Sequence, residues 1–113
     1  FYINAIPKTA DIQVAVASVF SVIRNVSVPF GISTPEKPNI SSTLWRTVAD
    51  HKNKIYFFES TLTPNIFWVQ FNNIDFSPSA PARKLVISPK QFYAGDAADL
   101  FVETKPFEFM GLE

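Results

Sequence analysis

The residues able to do chemistry in this sequence are few and scattered. The one histidine, His51, stands between Asp50 and Lys52. A catalytic imidazole needs an orienting partner and a nucleophile or substrate in reach, and a histidine in a polar turn reads instead as solvent-facing. Asp96 and Asp99, three apart beside Gly95, offer a weak oxygen-ligand pair, but they fit the solvated start of a helical turn better. One His and no Cys leave no nitrogen–sulfur set for a metal. Gly31, Gly95 and Gly111 lie too far apart to cradle a phosphate, and no Ser sits in a nucleophile-elbow pattern. Asn25-Val26-Ser27 and Asn39-Ile40-Ser41 match the glycosylation sequon, a three-residue pattern that chance supplies often. Tyr56, Phe57, Phe58, Phe67 and Trp68 could stack ligands or bases. Their strand spacing, in a chain with 12 Phe, reads as buried core, and no Arg or Lys is interleaved among them to hold a nucleic acid backbone. The residues therefore name no catalytic, cofactor-binding or metal-binding side chain and imply no cofactor.

The elements that hold these residues are easier to read. Residues 9–25 have the period of a helix: Ile12, Val16, Val19, Phe20 and Ile23 share one face. Thr9 is the expected N-cap, Asp11 suits the positive first turn, and Arg24 suits the C-terminal end. The other side carries Val14, Ala15, Ala17 and Val22, so this helix is expected to be covered on more than one side. Val28 before Pro29 turns the chain extended, and residues 29–42 have loop composition. Strands are expected at 43–49, 54–60, 66–71 and 84–88, the first two joined by a turn at 50–53. The rest is irregular, with one helical turn at 97–101. The fold class is α+β.

Both faces of the second and third strands are apolar. Ile55, Phe57 and Glu59 point one way and Tyr56, Phe58 and Ser60 the other; Ile66, Trp68 and Gln70 oppose Phe67, Val69 and Phe71. A sheet with one wet face alternates cleanly, so these strands call for a layer on each side. One helix cannot supply both.

Composition bounds the rest. The chain has 113 residues, 10 Lys+Arg against 10 Asp+Glu, and 47% hydrophobic residues. That is one domain or part of one, too apolar for a disordered tail. It has no electrostatic footprint for nucleic acid and no run near the roughly 20 residues of a membrane span. Zero Cys removes disulfides, thiolate zinc sites and a thiol nucleophile. Residue 1 is Phe and the only Met is Met110, which leads to the expectation of a C-terminal portion of a longer protein.

Several segments together resemble the choloylglycine hydrolase family, which includes bile salt hydrolases and penicillin V acylases. Residues 24–31, RNVSVPFG, resemble one family segment. Residues 43–58, TLWRTVADHKNKIYFF, resemble its TxWxxVxDxKNKxYYF hairpin, and residues 73–77, NIDFS, are similar to the continuation of that hairpin. The match is good over residues 1 to about 77. The resemblance implies the C-terminal part of a four-layer αββα N-terminal-nucleophile hydrolase. Such an enzyme cleaves a linear amide C–N bond in a conjugated bile salt, penicillin V or another N-acyl amide. An N-terminal Cys would attack the carbonyl with its own α-amino group as base, and the family's last catalytic Arg would lie just before Phe1. No catalytic residue carries over. Arg24 and Arg46 match structural positions of the motifs. The chain alone is thus expected to be inactive scaffold, its partners being the missing N-terminal part of the same protein and, as a homo-oligomer, further copies. The alternative is a non-catalytic binding or interaction domain that keeps only the scaffold. Residues 65–69 and 93–96 look closest to Gram-negative members, which implies a periplasmic location, with the cytoplasm as the alternative.

Overall fold

A computed structural model describes residues 1–111. It is mixed α+β, with two helices and mainly antiparallel strands. The first helix, α1 (Tyr2–Ala5), is a single turn that packs on α2 (Ile12–Asn25). α2 starts at Ile12, the first residue of the apolar period and three residues later than the helix expected over residues 9–25. Asp11 is its N-cap, the carboxylate accepting the Val14 N–H at 3.0 Å. Thr9 stands two residues before it and accepts the Asp11 N–H at 3.0 Å. The aspartate closes the first turn itself, so the threonine is left to fix the entering chain.

The main sheet runs β1 (Trp45–Asp50), β2 (Ile55–Ser60) and β3 (Ile66–Gln70), antiparallel in sequence order. β1 begins at Trp45 because Thr43 is already committed elsewhere. Its N–H donates to the Val28 carbonyl and its hydroxyl accepts from the Val28 N–H, tying it to the chain leaving α2. The register pairs Val48 with Phe57 and Phe57 with Trp68, and Thr47 with Phe58 and Phe58 with Phe67. Directly paired residues share a face. Arg46, Val48, Ile55, Phe57, Glu59, Ile66 and Trp68 therefore look toward α2. Trp45, Thr47, Tyr56, Phe58, Phe67 and Val69 look away.

The β1–β2 turn needs a left-handed residue. Lys54 takes it at φ 57°, and the Asp50 carboxylate accepts the Asn53 N–H and side-chain amide at 3.0 and 2.6 Å.

After β3 a 3-10 turn (Phe71–Asn73) leads into irregular chain. Of the strand expected at 84–88, only Lys84 is in a strand: β4 (Arg83–Lys84) pairs with β6 (Val102–Glu103) as a separate two-stranded ribbon. The remainder is diverted by side chains. Tyr93 donates its hydroxyl hydrogen to the Val86 carbonyl at 2.9 Å, and Ser88, ahead of Pro89, accepts the Lys90 N–H. β5 (Gly95–Asp96) adds a parallel strand beside β3 that no alternation announces. Gly95 enters it at φ 79°, a conformation glycine adopts without strain. A second 3-10 turn (Ala98–Leu100) follows, inside the helical turn expected at 97–101.

The core is small. Phe20 of α2 is the one large side chain fully enclosed among the described residues; Phe57, Phe67 and Val69 from the sheet and Ala97 and Ala98 beside it are also buried. The face of the sheet turned from α2 stays open at β1 and β2, where Trp45 is 58% and Tyr56 38% exposed.

Candidate functional site

The densest polar constellation in the structure involves a residue for which the sequence gives no role. Glu59 lies in phase with Ile55 and Phe57, so its strand carries it inward under α2, where it is buried. Two arginines meet it. Arg24, from the last turn of α2, bonds one carboxylate oxygen at 2.5 Å, and Arg46, from β1, bonds the other at 3.0 Å. Arg46 also donates to the Ser27 hydroxyl at 2.8 Å, and that hydroxyl donates to the Ile23 carbonyl at 2.9 Å. One carboxylate thus joins the helix end, the loop after it and two strands. Among the described residues no buried side-chain polar atom lacks a hydrogen-bond partner, which is the condition for a buried ion network to hold. The Arg24 guanidinium carbon also lies 5.6 Å from the Phe20 ring centre, a cation–π contact. The clue in the sequence is Glu59 itself, an acid on the inward phase of an apolar strand, which demands a cation.

Beside this network runs an apolar groove of about 550 Å3 between α2 and the β2–β3 half of the sheet. Val16, Phe20, Phe57, Ile66 and Trp68 line it and Arg24 stands at one end. Its size suits a ligand or a side-chain row, but it holds no nucleophile or general base.

The other residues read from the sequence stay apart. His51 is exposed in the β1–β2 turn. Its neighbour Asp50 serves the turn, and hydrogen bonds from the Asn53 side chain and backbone hold its carboxyl below the usual carboxylate range. Asp96 accepts from the Asn73 side chain at 2.9 Å and from the Ala98 N–H at 3.1 Å; Asp99 belongs to the 3-10 turn. Among the described residues no three His, Asp or Glu side chains cluster so as to hold a metal ion. No described helix is long and apolar enough to cross a membrane. In the first sequon Ser27 is held by Arg46 and Ile23, and the Asn25 amide donates to the Ser21 carbonyl. The aromatic cluster divides between the two faces: Phe57 packs on Trp68 at 5.7 Å between ring centres, and Phe58 stacks on Phe67 at 5.2 Å. These are cross-strand core pairs.

Comparison with known proteins follows the same outline. A family model described as linear amide C–N hydrolases, choloylglycine hydrolase family, matches residues 1–87. A penicillin V acylase of Pectobacterium atrosepticum is 54% identical over 99 residues, which is 85% of this chain and 26% of that protein. The solved structure of penicillin V acylase from Agrobacterium tumefaciens superposes with a TM-score of 0.86 at 56% identity, covering 99% of this chain and 36% of that one. The chain thus spans about a quarter of the curated relative's length and about a third of the solved chain's.

Proposed function

Because this chain belongs to the choloylglycine hydrolase family of linear amide C–N hydrolases, we propose that it is the scaffold segment of an enzyme that cleaves N-acyl amides, penicillin V foremost among them. The observation that carries this reading is the likeness at 56% identity over 99% of the chain to a penicillin V acylase of which it covers 36%. The reaction in this proposal is attack by an N-terminal Cys thiolate on the amide carbonyl, cleavage of the C–N bond with the amine leaving as it takes up a proton, and hydrolysis of the thioester acyl-enzyme by water to release the acid and restore the thiol. The sequence holds no Cys, so the nucleophile comes from polypeptide outside these 113 residues. The chain's part is mechanical. It supplies α2 and the sheet of β1, β2, β3 and β5, and the Glu59 network fixes the helix end against β1 and β2. A nucleophile held to within about half an ångström needs such rigid support. The parent is proposed to be periplasmic, on the wording of residues 65–69 and 93–96, which cell fractionation checks.

The test is reconstitution. This chain is co-expressed with the part of the Agrobacterium penicillin V acylase that it does not match, and the amine released from penicillin V is followed. Turnover by the pair and none by the chain alone supports the proposal. Turnover by the chain alone, or a stable pair that turns nothing over, contradicts it.

A further inference from the structure

The structure leaves a backbone edge and an aromatic face open in the same place. β6 pairs with β4 on one side only. The Thr104 N–H continues that pairing by donating to the Ala82 carbonyl at 2.8 Å. In an antiparallel ladder, alternate residues turn their backbone groups to opposite sides. Thr104 faces β4, so the odd-numbered residues that follow it face the open side. Among the described residues, the chain at 105–110 makes no backbone hydrogen bond. Phe107 and Phe109 are 80% and 88% exposed. Their rings meet edge to face at 4.9 Å, the same-side placement of residues two apart in an extended chain. Pro106, which has no N–H to offer, falls at an even position, where the open edge loses nothing. This stretch lies beyond residue 87, where the family match ends.

We propose that this tail is a self-association strand: residues 105–109 of two copies pair antiparallel about a two-fold axis at Phe107. Symmetry and charge set the register. A two-fold axis between antiparallel strands passes through a residue facing its own copy. Centring on Lys105 or on Glu108 sets like charges face to face, which destabilises the pair. Centring on Phe107 sets ring against ring and leaves Glu108 opposite Pro106. It also brings Lys105 over the Phe109 ring of the other copy, a cation–π pairing made twice. Lys105, Phe107 and Phe109 then exchange backbone hydrogen bonds across the open edge, the mode by which a free strand edge binds another strand. A contact between identical copies needs a surface complementary to itself, and this segment is one. The pairing is independent of the amidase reading.

The sequence has no Cys, so a single introduced thiol reports its own neighbour. Phe107→Cys and Phe109→Cys are each made in the full chain and equilibrated with oxidised and reduced glutathione. Circular dichroism first verifies that each variant keeps its helix and sheet. Across the proposed axis residue 107 faces its copy at a Cα separation of about 5.5 Å, inside the disulfide range. Residue 109 lies about 14 Å from its copy, outside that range. The expected result is a disulfide-linked dimer that forms about tenfold faster, or more, with Phe107→Cys than with Phe109→Cys. Added to Phe107→Cys, Phe109→Lys sets like charge against Lys105. It should link about threefold more slowly than Phe109→Glu in the same background, the gap closing at high salt. No dimer, equal rates at the two positions, or equal rates with Lys and Glu overturns the proposal. A dimer that disappears when the complementary amidase polypeptide is added makes that polypeptide the occupant and also overturns it. The readout is the mass of a linked dimer, not turnover, so its failure leaves the amidase reading to its own reconstitution test.

Discussion

Residues 12–71 and residues 72–111 fold by different rules. The first region is built from a helix of 14 residues and three strands of five or six, with continuous registers between them. Each strand residue there is placed by several neighbours at once, and a slip of one position would turn the core side chains of its strand outward. The second region has strands of two residues, two of them forming a ribbon of their own. It is held by single bonds, such as Tyr93 to Val86 and the Ala97 N–H to the Trp68 carbonyl at 2.8 Å. The difference teaches where a mutation spreads through the fold and where it stays local.

The largest effects are expected in the first region. Phe57→Ala removes a buried ring that packs on Trp68 and should cost about 3–5 kcal/mol in urea denaturation. A loss under about 1 kcal/mol would place this face of the sheet in solvent. Glu59→Ala leaves two arginines facing each other without their carboxylate and should cost about 3–5 kcal/mol. Glu59→Gln keeps hydrogen-bonding capacity and should cost less. If the two variants are equally destabilised, the charge carries the network; if Glu59→Gln costs nothing, the charge is irrelevant and the network is packing and neutral hydrogen bonding alone.

Smaller effects sharpen the other side. Gly95→Ala meets no atom within 4 Å but retains φ 79°, so it should cost only the backbone strain, about 1–2 kcal/mol. That loss should be confined to the β3–β5 edge in amide hydrogen exchange; loss of protection reaching β1 would show the two regions to be one cooperative unit. The smallest effect is at the turn. Asp50 has a carboxyl pKa lowered first by the Asn53 side chain, so its contribution is complete above the unfolded pKa of about 4 and is lost as pH falls through the lower folded value. In Asn53→Ala an NMR titration should find the Asp50 carboxyl raised toward the ordinary value but still below it, because the residue-53 N–H remains to donate. An unchanged midpoint would assign the lowering to other groups.

The same contrast decides what the sequence can tell. The helix, the three long strands and their two apolar faces follow from repeated spacing, so many residues vote for one answer. Thr43 and Thr9 show the limit even there, since each has the right type for the expected role but local hydrogen bonds, two for Thr43 and one for Thr9, take it elsewhere. β5 and the diversion of residues 85–88 are invisible beforehand because Gly95 and the Tyr93 hydroxyl act alone. The Glu59 network falls between the two. Arg24 and Arg46 are legible as motif positions and Glu59 as inward-facing, but their meeting needs the register of β1 on β2 and the place of the helix end.

The central claim, that this chain is scaffold whose nucleophile lies elsewhere, is tested most directly by alkylation of the reconstituted pair. A thiol reagent should abolish penicillin V turnover while the mass of this chain, which has no Cys, stays unchanged and the complementary polypeptide gains the adduct. Turnover that survives complete thiol alkylation would contradict the claim.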